Sequence, residues 1–243
     1  MTERAHTYAV KDMFLTLQGE GARSGTKAAF LRFSGCNLWS GLPAGRATGR
    51  GACARWCDTD FVGGDRMTAL EVVMRLNSLW GGPGPKWVVA TGGEPMLQLD
   101  EALLDALTGS GWRTAVESNG TIPIAHGVRQ RIDWLCVSPK VGALGLQQFE
   151  ADELKVVLPG AVAPEVGWSD EDLEVLAVRG RWRDLIVNPQ DPVNPQTIGA
   201  THLLGAAEDS GAWETAVARC VEFVMSHPQW RLGVQVHKIA RLP

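Results

Sequence analysis

The chain has 243 residues, 45% of them hydrophobic and 21% charged, a balance that supports a folded core and excludes a disordered chain. Its formal net charge of −4 argues against a protein that coats a nucleic-acid backbone, so no direct nucleic-acid partner is expected. No apolar run reaches the roughly 18 residues of a membrane helix, and the first residues open no secretory segment. The expected setting is therefore the cytoplasm, away from membranes, where thiols stay reduced.

Taken in chain order, residues 28–33 read as a strand that runs straight into Ser34-Gly35-Cys36. Residues 41–51, rich in Gly, Arg, Ala and Pro, read as a loop. Thr68 and Glu71 form a capping-box pattern ahead of a helical stripe of Ala69, Val72, Val73, Leu76, Leu79 and Trp80. Residues 87–90 form a short apolar strand that meets Thr91-Gly92-Gly93-Glu94-Pro95. Asp100 can cap a helix carrying Leu103, Leu104 and Leu107, which stops near Gly109. Strands at 113–116 and 134–137 lead into Glu117-Ser118-Asn119-Gly120 and Ser138-Pro139-Lys140. Residues 154–158 and 185–187 are strand-like, and between them Ser169 can cap a helix through Leu173, Leu176 and Ala177. Residues 189–201 show little pattern and read as loop. Ser210 opens a long helix with a stripe of Trp213, Val217, Cys220, Val221 and Val224, and residues 231–236 form a last strand ending at His237.

Short uninterrupted apolar strands alternating with helices predict an α/β fold with a parallel sheet, arranged as an open (β/α) barrel. No linker or repeat divides the chain, so residues 1–243 read as one domain. Polar, glycine-rich motifs follow the strand ends, the face where such barrels hold their sites.

Five cysteines, an odd number in a reducing compartment, argue against a disulfide framework. Cys136 lies in an apolar strand and Cys220 on a core stripe. Cys36, Cys53 and Cys57 instead follow a strand within glycine-rich loop. Soft thiolates select zinc or an iron–sulfur cluster. A structural zinc would need a fourth ligand from His or Asp, whereas three cysteines on a four-iron cluster leave one iron open to another ligand. At Gly92-Gly93-Glu94 the backbone can approach a ligand closely, and the carboxylate can accept from an ammonium group.

Ser-Gly-Cys-Asn-Leu-Trp-Ser-Gly from Ser34, then Cys57-Asp58-Thr59-Asp60, then Thr91-Gly92-Gly93-Glu94-Pro95, resemble the radical S-adenosylmethionine superfamily. Leu17-Gln18-Gly19-Glu20-Gly21, Glu117-Ser118-Asn119-Gly120, Ser138-Pro139-Lys140 and the tail from His227 to Lys238 narrow the resemblance to the 7-carboxy-7-deazaguanine synthases of queuosine biosynthesis. One position departs: three residues separate Cys53 from Cys57, where the resembling subgroup has two.

The resemblance implies a partial TIM-like barrel with an elaborated cluster-binding loop. It implies a [4Fe–4S] cluster on Cys36, Cys53 and Cys57, with S-adenosylmethionine on the fourth iron. Gly92, Gly93 and Glu94 would hold the cofactor's amino group. Glu117, Ser138, Pro139 and Lys140 would hold its ribose and carboxylate, and Trp56 and Asp58 would line the same pocket. The implied reaction is lyase chemistry: 6-carboxy-5,6,7,8-tetrahydropterin contracts its ring, loses ammonia and becomes 7-carboxy-7-deazaguanine. Leu17, Gln18, Gly19, Glu20, Arg32, Thr91, His237 and the terminal carboxylate of Pro243 would contact the pterin. Thr59 would ligate Mg²⁺, a flavodoxin or ferredoxin would donate electrons, and the assembly would be a homodimer. Two other readings stand beside this one. A glycyl-radical activating enzyme of the same superfamily would need a protein partner, and a zinc-stabilised binding module would be colourless.

Overall fold

The computed structural model describes residues 5–55, 57–143, 145–159, 167–190, 210–240 and 242. Among these residues nine strands form one sheet: β1 (Tyr8–Leu17), β2 (Lys27–Phe33), β3 (Asp65–Met67), β4 (Lys86–Gly92), β5 (Trp112–Ser118), β6 (Trp134–Val137), β7 (Glu150–Leu158), β8 (Arg181–Pro189) and β9 (Trp230–Leu232). Their order is β3-β1-β2-β4-β5-β6-β7-β8-β9, so the edge strands β3 and β9 stay apart and the barrel is open. From β2 to β9 every pairing is parallel. The expected parallel sheet gains an antiparallel edge, because β1 pairs antiparallel with both β2 and β3.

The helices are α1 (Ala69–Trp80), α2 (Glu101–Gly109), α3 (His126–Gln130), α4 (Asp170–Arg179), α5 (Ser210–Ser226) and α6 (Val236–Ala240). Local chemistry starts them as expected. Thr68 and Glu71 close a capping box on α1, Ser169 and Asp172 close one on α4, and the Asp100 carboxylate accepts from Leu103 N at α2. Along α1, Val72, Val73, Leu76 and Trp80 are buried against the sheet, each large side chain contributing about 1.5–3 kcal/mol. The α5 stripe is placed differently. Val221 is exposed, while Ala216, Cys220 and Phe223 are buried, so the core face is rotated from the predicted one. No helix among the described residues is long and apolar enough to cross a membrane.

Period-two alternation sorts the strands. Ala29, Leu31 and Phe33 on β2, Val88 and Ala90 on β4, and Leu135 and Val137 on β6 point outward into one core with α1 and α2. Leu154, Val156 and Leu158 on β7 join Val187 and helices α4 and α5 in a second core. The opposite faces point into the barrel. There Ala28, Trp87, Val89 and Ala115, packed by Phe30 and Trp134, fill the end nearest the strand starts.

The loop from β1 to β2 covers that end: Arg23 lies over the Trp87 ring, 3.4 Å from its centroid. Arg113 lies over the same ring at 4.4 Å, and Arg183 lies 5.4 Å from the Trp134 centroid. Lys27 on Trp80, Lys86 on Trp112 and Arg46 on Trp39 repeat the pairing. Indole presents a stronger cation-binding face than phenol, which gives one physical reason for a chain with ten Trp and one Tyr.

The last predicted strand is shorter than expected. β9 pairs only with Leu185–Val187 of β8, and the chain leaves the sheet at Gly233, whose N–H donates to Val187 O at 2.8 Å. His237 therefore lies in α6 and not at a strand end. The expected loop at 189–201 falls almost wholly outside the described residues.

Candidate functional site

One cavity of about 380 Å³ opens inside the barrel. It is lined by Leu17 of β1, Gln18, Gly19 and Glu20 of the β1–β2 loop, Arg32 of β2, the three cysteines with Asp58 and Thr59, Thr91 and Gly92 of β4, and Gly93 just after it. Glu117, Ser138, Lys140 and His237 complete the predicted set on its wall. Register explains the convergence. Arg32 pairs with Thr91, and Glu117 pairs with Cys136, which pairs in turn with Glu153, so the polar inward residues of neighbouring strands share one level. Of the four other predicted residues, two are described. Glu94 is buried behind the wall, Pro139 faces an adjoining crevice, and Trp56 and Pro243 lie outside the described residues.

The cysteine wall is built by backbone pairing. Gly35 N donates to Phe61 O, and Glu94 N donates to Gly35 O at 2.9 Å, which ties the first cysteine loop to the end of β4. Cys57 N donates to Cys53 O at 2.6 Å. The three-residue gap therefore closes one i→i+4 turn, which sets two side chains on the same face. Arg46 clasps this turn, its guanidinium donating to Ala54 O at 2.8 Å and Cys57 O at 3.2 Å while it stacks on Trp39. Trp39, Ala54 and Phe61 back Cys36 and Cys57 with apolar surface.

Burial pushes all three thiols up, Cys53 to about 11, while the Lys140 charge pulls each of them down. Thiolates there call for compensating positive charge, and an iron–sulfur cluster supplies it, so the donor set fits that group. Among the described residues no three His, Cys, Asp or Glu side chains form a single-ion site. Replacing Arg46 by Lys keeps the charge but loses the fork. We expect Arg46→Lys to take up iron like the wild type and to release it several-fold faster to a chelator, followed as bleaching of the cluster absorbance. Equal bleaching rates would remove Arg46 from this role.

Beside the thiols, Glu94 accepts from Ser118 Oγ at 2.9 Å, Asn119 N at 2.8 Å and Met96 N at 3.0 Å. Burial raises its pKa and these donors oppose the rise. Its carboxylate thus staples the ends of β4 and β5 together. Lys140 Nζ donates to Ser138 Oγ at 2.6 Å.

Across the cavity, Lys155 of β7 lies 3.0 Å from Glu20 and 2.9 Å from Glu117. Gln235 also donates to Glu20, and Gln18 donates to Glu117 at 2.8 Å. Burial opposes ionisation of Glu20, yet the Lys155 charge and the Gln235 bond hold its pKa at about 2. The stability this ion pair adds is complete above the ordinary value near 4.5 and is lost as pH falls toward about 2.

Of the buried side-chain atoms without a hydrogen-bond partner among the described residues, two belong to residues of the cavity wall: the donor Arg32 Nε and the acceptor Gln235 Oε1. Both residues line the cavity, so each can serve a ligand of opposite character. His237 packs on Gly19, where any side-chain carbon would sit 1.9 Å from His237 Nδ1.

Sequence reasoning missed Lys155, Gln235, Asn119, Trp39 and Phe61 as lining residues. For Lys155 a signal existed: Glu153 and Lys155 alternate with Leu154 and Val156 in a strand buried on both faces. Two charges on the inner face of such a strand mark a polar interior.

Comparison with known proteins follows the same line. No family model matches the chain. It is 43% identical to the 7-carboxy-7-deazaguanine synthase of Caulobacter vibrioides, over 98% of this chain and 100% of the relative. It is 41% identical to the Burkholderia multivorans synthase over the same shares. Identity to the Bacteroides thetaiotaomicron synthase is 32%, over 95% of this chain and 96% of the relative. The fold matches the crystal structure of QueE from Escherichia coli with a TM-score of 0.61, 22% identity and 95% of each chain covered. With 43% identity over nearly its whole length, the chain belongs to the 7-carboxy-7-deazaguanine synthase family.

Proposed function

We propose that the cavity carries out the family's ring contraction, converting 6-carboxy-5,6,7,8-tetrahydropterin to 7-carboxy-7-deazaguanine with loss of ammonia. The observation that carries this reading is the shared cavity, which brings three thiols, the Gly92-Gly93 run, an unpaired Arg32 donor and the Glu20 carboxylate onto one wall system. Cys36, Cys53 and Cys57 would hold a [4Fe–4S] cluster. When bound, the cluster and S-adenosylmethionine together supply a 5′-deoxyadenosyl radical.

The chain's residues bind, orient and shield. Arg32, whose Nε has no hydrogen-bond partner among the described residues, suits the substrate carboxylate. Glu20 and the Gln235 acceptor suit the amino-bearing edge of the pterin ring. Glu117, Ser138 and Lys140 suit the cofactor's polar end. Phe14, Phe30 and Phe61 restrict water around the reacting atoms. Thr59 on the cavity wall is our candidate Mg²⁺ ligand, since a hydroxyl is a hard oxygen donor. Trp56 and the Pro243 carboxylate complete the proposed set, with a flavodoxin or ferredoxin as electron donor and a homodimer as assembly.

The test is anaerobic reconstitution with iron and sulfide. Product is expected only when the carboxy-tetrahydropterin, S-adenosylmethionine and a reductant are all present. A protein that loads iron and cleaves S-adenosylmethionine but never forms the deazaguanine would sink the substrate reading.

A further inference from the structure

Lys155 stands at the middle of a symmetrical arrangement. Its ammonium lies 3.0 Å from Glu20 Oε2 and 2.9 Å from Glu117 Oε2. The other oxygen of each carboxylate accepts from a glutamine, Gln235 on Glu20 and Gln18 on Glu117. All five side chains line the one cavity, and the Lys155 side chain is only 6% exposed. Glu20 comes from the β1–β2 loop and Glu117 from the end of β5, so the lysine is the shared neighbour of two separately built walls.

We propose that Lys155 is a positioning residue that couples the two ligands, holding Glu20 toward the substrate and Glu117 toward S-adenosylmethionine. The inference rests on the assignment of those two carboxylates under the proposed function. A ligand that fixes one carboxylate fixes the ammonium and thereby orders the other carboxylate. The second ligand then meets a site whose ordering cost has already been met. Linkage makes the effect reciprocal: each ligand tightens the other by the same factor.

The charged and titratable groups around the lysine are Glu20, Glu117, Glu153 beneath it on its own strand, Cys136 on β6, and His237 acting on Glu20. The Cys136 thiol donates to Glu153 at 3.5 Å. Removing the lysine leaves Glu20 buried with no other Lys or Arg of the described residues paired to it. Its carboxyl then moves upward, and ligand acceptance becomes pH-dependent where the wild type is flat.

The experiment uses cluster-loaded protein under anaerobic conditions. Equilibrium dialysis measures S-adenosylmethionine affinity with and without 6-carboxytetrahydropterin, from pH 6 to 8, for wild type, Lys155→Met and Lys155→Arg. The wild type is expected to bind S-adenosylmethionine at least about fivefold tighter with substrate present. Lys155→Met should lose that factor and bind substrate more tightly as pH rises. Lys155→Arg, which keeps the charge, should recover part of the coupling. Should Lys155→Met fail to fold, Glu117→Gln takes its place and should weaken substrate binding, although Glu117 is assigned to the cofactor. Unchanged coupling in Lys155→Met, or unchanged substrate affinity in Glu117→Gln, overturns the proposal. A cluster-loaded wild type that binds S-adenosylmethionine but no pterin overturns the substrate reading, and the coupling with it.

Discussion

A Cys57→Ala variant is expected to lose more than about a hundredfold in product formation, because even outer partners of metal ligands cost about 10- to 100-fold when removed. Its iron and sulfide per chain after anaerobic reconstitution should fall in parallel. Cys57 closes the turn with Cys53 and shares the cavity wall with Cys36, and no other cysteine lines that cavity. Cys220 supplies the control. It is fully buried among Phe223, Trp230 and Leu176, so Cys220→Ala should lower thermal stability and leave iron loading intact. Wild-type iron content together with wild-type turnover in Cys57→Ala would remove that thiol from the cluster.

Gly93→Ala carries the other large expected effect. A side-chain carbon there would lie 2.0 Å from Gly35 O and 2.8 Å from Cys36 Cβ. Neither neighbour can rotate away, since Gly35 is pinned by Phe61 O and Glu94 N. Overpacking against backbone costs about 3 kcal/mol, which for a chain of this size lowers the melting temperature by roughly 6–12 °C. The same displacement would push on the first cysteine, so cluster loading should fail before global unfolding does. A scanning-calorimetry trace within 2 °C of wild type, with normal iron content, would contradict this account.

Much of the site was readable because its residues cluster at strand ends. Cys36, Thr91, Glu117 and Ser138 each stand within a few residues of where an apolar run stops, and parallel pairing brings such positions together. Glu94 was legible as a polar residue in that motif. Its role was not, because its three donors come from Ser118, Asn119 and Met96, partly on the next strand. The gap between Cys53 and Cys57 read as a departure from pattern, and only the closing backbone bond explains how it is accommodated. Lys155 escaped because an apolar-run reading of residues 154–158 passes over a charge facing inward. His237 reads as a strand-end residue because Trp230–Leu232 begins a strand, while the exit at Gly233 depends on the short pairing with β8. β1 went unread for a related reason: Lys11 and Asp12 interrupt its apolar pattern near a bulge in its pairing with β2.

The loop that carries Glu20 also carries Arg23, and Arg23 stacks on Trp87 at the strand-start end of the barrel. That end is packed by Ala28, Val89 and Ala115, while the cysteines and the strand-end motifs line the cavity toward the other. Replacing Arg23 would therefore reach the site indirectly, by loosening the loop on which Glu20 is mounted.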